Sequence, residues 1–246
     1  MLELNNTLNY TLLATTCLVT VPAQSAVSLD GTRAIFNGGE TSMMLNVNND
    51  NKQQPYLAQA WLENDAQEKI LTGPLVVTPT LQRIEPGAKS LVRVASTPAI
   101  STLPQDRESL FYFNLRGIPP ISENENVVQI VLQTKIKLFY RPKAIETKLN
   151  AIWQDQLVLN KVANGYRIEN PTPYYVTVIG LGGTEKEAQE DHFDAVMLAP
   201  KSEQTIKARN YMMPYLTYIN DYGDRPALKF QCAASSGRCL RVMGIK

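Results

Sequence analysis

The sequence predicts an all-β protein made of two β-sandwiches joined by a short hinge. Three observations lead there. Helical periodicity is scarce, and short runs of β-branched, aromatic and aliphatic residues alternate with turn clusters, the pattern of sandwich proteins. The chain has 246 residues, enough for one large all-β domain or two of ordinary size. Finally, the segment "RPKAIETKLN", Arg141 to Asn150, contains a proline, loses alternation and mixes its charges, as a linker does. It leaves roughly 120 residues before it and roughly 100 after it, each the size of an immunoglobulin-like sandwich.

In the first half, "SMMLNVNN", "YLAQAWLEN", "LVVTPTLQRI", "SLVRVAS" and "SLFYFNLRGI" read as strands, punctuated by "NGGE", "NNDNKQQP", "EPGAK" and "IPPISENEN". The stretch "LPQDRES" is expected to form one helical turn opened by Pro104. In the second half, "QLVLNKV", "GYRIENP", "YYVTVIGL", "AVMLAP", "SEQTIKA", "YLTYIND" and "ALKFQC" continue the rhythm.

The N-terminus differs in kind. "YTLLATTCLVTV", Tyr10 to Val21, is apolar and too short to span a bilayer comfortably. The following "PAQSAVSLD" places Ala23 and Ser25 where a signal peptidase needs small residues. Residues 1–25 therefore read as a signal peptide, with the mature chain starting at Ala26, although the segment lacks the usual basic start. No other stretch is long and apolar enough to cross a membrane, so stable membrane insertion is not expected.

Composition limits the chemistry. The formal net charge is +1 and no basic run occurs, which argues against nucleic acid as a partner. Cys17 would leave with the signal. Cys232 and Cys239, in "FQCAASSGRCLRV", are close enough in an exported chain to suggest a disulfide. Half of a metal site is the alternative, but the chain has one histidine to offer. That residue, His192, lies in the acidic "EAQEDHFDA" and reads as a solvated loop residue. "GLGGTEK" lacks the Gly-Lys-Ser/Thr ending of a phosphate loop and reads as a connection between strands. Asp50, Asp65, Asp106, Asp155, Asp191, Asp194, Asp221 and Asp224 are scattered, and nothing pairs any two of them. No catalytic residue, metal or cofactor is expected.

The most informative stretch is "NVVQIVLQTKIKLFYRP", Asn126 to Pro142. It reads as one strand of about 14 residues, against a common 5–6. Val128, Ile130, Leu132, Ile136 and Leu138 share one parity, while Gln129, Gln133, Lys135 and Lys137 fall on the other. On periodicity alone the apolar parity points into the protein's own core. Yet the strand is the last before the linker, a place for an edge, and an apolar edge strand aggregates unless something binds it.

"DRESLFYFNLRGIPP" followed by "VVQIVLQTKIKLFYRP" resembles the signature of the PapD-like periplasmic pilus chaperones. The similarity runs from "AVSLDGTRAIF" through "WQDQLVLNKV" and "GYRIENPTPYYVTVIGLGG" to "YINDYGDRPALKFQC", over essentially the whole mature chain. The resemblance implies two immunoglobulin-like domains, residues 26–145 and 146–246, set at an angle in a boomerang outline with a cleft between them. It implies a non-enzymatic periplasmic chaperone that captures pilus subunits, pilins and tip adhesin, and passes them to an outer-membrane usher. Its edge strand would fill the open groove of a subunit that lacks its own last strand.

Carried over residue by residue, Val128, Ile130 and Leu132 would be the donor side chains. Arg33 and Lys137 would grip the subunit's C-terminal carboxylate. Glu108, Arg141 and Asp221 would form an interdomain ion network, with Arg141 opening the linker. Gly117 and Ile121 would lie in the loop before the donor strand. A self-capping dimer is one way for the free chain to hide its edge. An exported immunoglobulin-like adhesin or ligand-binding module is the alternative; it would share the signal and disulfide but would have no use for basic cleft residues.

Overall fold

The computed structural model describes residues 26–122, 128–190 and 193–242. The expected signal peptide with its cleavage site and Cys17, residues 123–127, Asp191, His192 and the last four residues lie outside these.

The first sandwich holds ten strands: β1 Val27–Leu29, β2 Arg33–Asn37, β3 Ser42–Asn49, β4 Tyr56–Glu63, β5 Lys69–Ile70, β6 Leu75–Thr78, β7 Leu81–Ile84, β8 Lys89–Ser96, β9 Ser109–Ile118 and β10 Leu132–Arg141. One sheet runs β1-β3-β8-β6; the other runs β2-β10-β9-β4-β5, with β7 also on β4. Between them Phe36, Val47, Leu62, Leu75, Val94, Phe113, Leu115 and Leu138 form a closed apolar core. Each comes from an inward parity of its strand. Pro79 splits the run read as a single strand into β6 and β7, because proline cannot donate to a ladder. The helical turn sits earlier than expected, a 3₁₀ turn at Pro98–Thr102 whose N-cap Thr97 accepts a bond from the Ala99 amide.

The second sandwich holds β11 Val158–Val162, β12 Gly165–Asn170, β13 Val176–Gly182, β14 Val196–Leu198, β15 Ser202–Lys207, β16 Tyr215–Ile219, β17 Ala227–Cys232 and β18 Arg238–Arg241, together with the short helix α1, Glu185–Gln189. The strand path is β14-β13-β16-β17-β18-β11-β12-β15. β17 serves both layers: Ala227–Lys229 pair with β16, and Phe230–Cys232 pair with β18. Leu159, Tyr166, Ile168, Leu216 and Phe230 make the core, and the Cys232–Cys239 disulfide is buried among them.

The "GLGGTEK" stretch joins a strand to a helix rather than two strands. Thr184 caps α1 by accepting from the Glu187 amide. A Cβ on Gly180 would lie 1.7 Å from the Ala188 carbonyl oxygen. Its glycine is therefore a packing requirement, letting α1 lie flat on β13.

Gly117 is a strand residue, not a loop residue as expected. It pairs with Leu132 and Ala58, and a Cβ there would stand 2.9 Å from Val27 Cβ. Ile121 does lie beyond β9 and is exposed. Arg141 likewise does not open a linker; it is the last, buried residue of β10. Among the described residues no helix is long and apolar enough to cross a membrane.

Candidate functional site

The site grows from β10 and its neighbours. β9 pairs with β10 antiparallel from Ser109–Tyr140 to Gly117–Leu132, covering all of the strand but Arg141 on one side. On the other side β2 pairs with it in parallel, but only from Lys137–Arg33 to Arg141–Asn37. Residues 132–136 therefore have one open edge. The strand is also shorter than its pattern suggests. β9 stops at Ile118, and Pro119 and Pro120 cannot extend the ladder, so among the described residues no strand lies opposite 128–131.

This geometry separates residues that periodicity had grouped. Ile136 and Leu138 are 6% and 0% exposed and sit in the first core. Val128, Ile130 and Leu132, of the same parity, are 88%, 73% and 41% exposed. The inward reading holds at one end of the stretch and fails at the other, where the sandwich has ended. Phe139 and Arg141 are also buried, on the opposite parity, because they face the second sandwich. The Phe139 ring lies 5.4 Å from that of Tyr175.

Arg33 and Lys137 stand side by side where β2 begins. Arg33 Nη1 donates to the Ile219 carbonyl at 3.2 Å, its guanidinium lies 5.9 Å from the Phe139 ring centroid, and its buried Nε has no partner. Burial pulls the Arg33 pKa below the usual arginine range, against the nearby charges of Asp221 and Glu108. Burial, and then the charge of Arg33, pull Lys137 below the usual lysine range. Among the described residues, neither cation forms an ion pair. Two adjacent, half-buried cations that form no ion pair among the described residues create a positive local potential.

Glu108, Arg141 and Asp221 come together behind this pair. Arg141 donates to Glu108 from Nη2 at 2.7 Å and Nε at 2.8 Å, and to Asp221 from Nη1 at 2.8 Å and Nη2 at 3.2 Å. Glu108 also accepts the Tyr175 amide at 2.7 Å, and Arg141 Nη1 reaches Thr147 Oγ1 at 3.0 Å. The guanidinium packs against the adjoining rings of Trp153 and Tyr174, 4.8 and 5.1 Å from their centroids, which are 4.6 Å apart. Burial pushes the Glu108 carboxyl up to about 7, against the attraction of Arg141. Burial works against the charge of Arg141, but Asp221 and Glu108 outweigh it and hold its pKa above the usual range.

Further bonds tie the two sandwiches. Glu108 N donates to Pro173 O at 2.9 Å, and Lys201 Nζ meets Asp106 at 2.6 Å. A cavity of about 440 Å³ lies between the sandwiches, lined by Ile35, Asn37, Arg141, Trp153 and Asp221 among others. The contributions of Trp153, Tyr174, Tyr175 and the Ile219 carbonyl went unread in the sequence. They act through position in space, which spacing along the chain does not encode.

Comparison with known proteins decides the family. The model of "Pili and flagellar-assembly chaperone, PapD N-terminal domain" matches residues 26–146, and "Pili assembly chaperone PapD, C-terminal domain" matches residues 152–230. The chain belongs to the PapD family of pilus-assembly chaperones. It is 70% identical to the chaperone protein PapD of Escherichia coli over 217 residues, 88% of this chain and 90% of that one. It is 45% identical over 219 residues to chaperone protein PmfD of Proteus mirabilis, covering 87% and 86% of the two chains. Among solved structures, the CupB2 chaperone of Pseudomonas aeruginosa matches with a TM-score of 0.68 at 29% identity, over 82% of this chain and 98% of that one. The two-sandwich architecture is thus that of the PapD-like chaperones.

Proposed function

We propose that this PapD-family chaperone captures pilus subunits by adding β10 to them as a missing strand, and hands them to an outer-membrane usher. One observation carries the reading. An open edge at residues 132–136 runs into two cations that form no ion pair among the described residues, and three apolar side chains of one parity, Val128, Ile130 and Leu132, stand uncovered beside it. Successive pockets of a subunit would take those side chains, each contributing about 1.5–3 kcal/mol when fully buried. Main-chain pairing along the open edge adds affinity with little discrimination.

The guest's direction follows from charge. β2 occupies the lane beside β10 from Lys137 onward, so a guest strand in that lane must end there. An antiparallel guest would present its beginning to the cations; a parallel guest presents its carboxyl end, which Arg33 and Lys137 accept. Glu108, Arg141 and Asp221 then hold the two domains, residues 26–145 and 146–246, at the angle that aims these cations into the cleft. Chemistry of catalysis plays no part in this scheme.

The location we infer is the periplasm of a Gram-negative bacterium, after removal of residues 1–25. The small residues Ala23 and Ser25 and the Cys232–Cys239 disulfide support it. The test is co-expression with a pilin. Wild-type protein should protect the pilin from proteolysis in a one-to-one soluble complex, and Ile130→Glu, which places a charge in an apolar pocket, should not. Normal protection by Ile130→Glu would overturn strand donation.

A further inference from the structure

The face of β10 that turns away from the proposed donor side chains carries a second device. Three polar side chains of this parity, Gln129, Gln133 and Lys135, are tied back to their own sandwich. Gln129 Nε2 donates to the Pro120 carbonyl at 2.6 Å. Gln133 donates to the fully buried Asn114 at 2.9 Å and accepts from Arg116 at 3.0 Å. Lys135 Nζ lies 2.6 Å from Glu63 Oε2 and donates to Gln67 at 3.0 Å. Glu63 is buried, although it sits on the outer face of β4, and it also accepts the Trp61 indole N–H at 3.1 Å. Strand order here is β10-β9-β4, so the Lys135–Glu63 pair reaches across β9 and bolts the edge strand to the third strand of the sheet.

The two lysines of "TKIK" are thereby distinguished. Among the described residues Lys137 forms no ion pair, whereas Lys135 is committed to a buried carboxylate. Residues 132–136 have one open edge, and ahead of the buried Ile136 their apolar side is partly uncovered, so apart from these side-chain ties the ladder to β9 does most of the holding, and such segments open locally. We propose that Lys135 and Glu63, supported by Gln133, are positioning residues. They keep residues 132–136 flat and in register so that the edge is ready for a guest strand. The inference rests on the strand-donation reading and names the residues that prepare it. Binding to a pre-ordered edge avoids the ordering cost at encounter, so loss of the clamp slows capture more than it speeds release.

The test uses the full-length exported protein with Glu63→Gln, which keeps an acceptor for Trp61 but removes the charge, and Lys135→Met, at an exposed position. Hydrogen exchange of the β10 amides bonded to β9 should accelerate about fivefold to tenfold in both, with β3 and β8 amides unchanged. The pilin association rate should fall by a similar factor while dissociation changes less than twofold. Lys135→Arg, which can still pair with Glu63, should restore both. Unchanged exchange in β10 overturns the clamp, and so does accelerated exchange with a wild-type association rate. Ile130→Glu separates the two ideas. If it captures pilin normally, strand donation itself fails; if it blocks capture while Glu63→Gln captures at the wild-type rate, only the clamp fails.

Discussion

Ile130 and Ile136 are the same residue type, six positions apart, with the same parity in one stretch of chain, and the strand-donation proposal predicts opposite phenotypes for them. Ile136 is 6% exposed within the first core, whereas Ile130 is 73% exposed. Truncating Ile136 to alanine removes about three methylene equivalents from a closed core and leaves a cavity, which costs about 2–5 kcal/mol of stability. For a protein of this size that lowers the Tm by at least about 5 °C. Truncating Ile130 removes the same atoms from solvent in the free chaperone, so the Tm should stay within about 1 °C. In the complex the outcome reverses. At about 0.8 kcal/mol per buried methylene, with roughly three quarters of the side chain newly covered, Ile130→Ala forfeits about 2 kcal/mol of binding. That weakens the pilin Kd about 20–30-fold. Thermal melts of both variants and titration with a pilin whose groove is open give the four numbers. Equal Tm losses, or an Ile130→Ala Kd within threefold of wild type, would refute the assignment of core to one and donor to the other.

Three further outcomes are expected. Arg33→Ala should abolish stable pilin capture while the circular dichroism spectrum and Tm remain those of a folded protein, since Arg33 makes one hydrogen bond to Ile219 and no ion pair among the described residues. Capture should also weaken as pH rises toward the lowered pKa of Lys137, because only the ammonium attracts a carboxylate; Lys137→Arg should hold affinity over the same range, and parallel profiles would count against the anchor. Glu108 supplies a stability profile: its folded carboxyl is raised from 4.5 to about 7, so the folded state holds the proton more tightly than the unfolded chain. This contribution is fully present below pH 4.5, declines as pH rises to about 7, and is flat above; urea melts of Glu108→Gln should lack that slope.

Much of the fold was legible because alternation reports a half-buried strand directly. "SMMLNVNN" and "SLFYFNLRGI" are strands over those same residues, β3 and β9. What alternation cannot report is where a neighbouring strand starts or stops. The apolar parity of the 126–142 stretch looks uniform, yet Pro119 and Pro120 end β9 and Arg33 starts β2, and these two boundaries decide which residues are core and which are uncovered. β2 itself escaped notice because "RAIFN" is five residues long and buried on only one face. The ion network joins residues 33 and 80 positions apart, so only the family resemblance could suggest it. Lys135 and Glu63 show the same limit without that help: a lysine on a polar parity reads as solvated until the fold places a buried carboxylate under it.

An open strand edge is ordinarily a hazard, and its dimensions here show how the hazard is contained. Only residues 132–136 are both laddered to β9 and unpaired on the other side, because β2 fills the same lane beyond them. A passing strand that continues through this gap collides with Arg33 and meets two half-buried cations with no charge to offer them. A strand that terminates there brings a carboxylate to cations that form no ion pair among the described residues. The gap is therefore closed to chain interiors by β2 and closed to amino termini by charge. On the proposed strand donation, what remains acceptable is narrow: the carboxyl end of an extended chain that also has apolar pockets spaced to take residues 128, 130 and 132. On that proposal, the same β2 strand that shortens the open edge is what turns an aggregation-prone surface into a selective one.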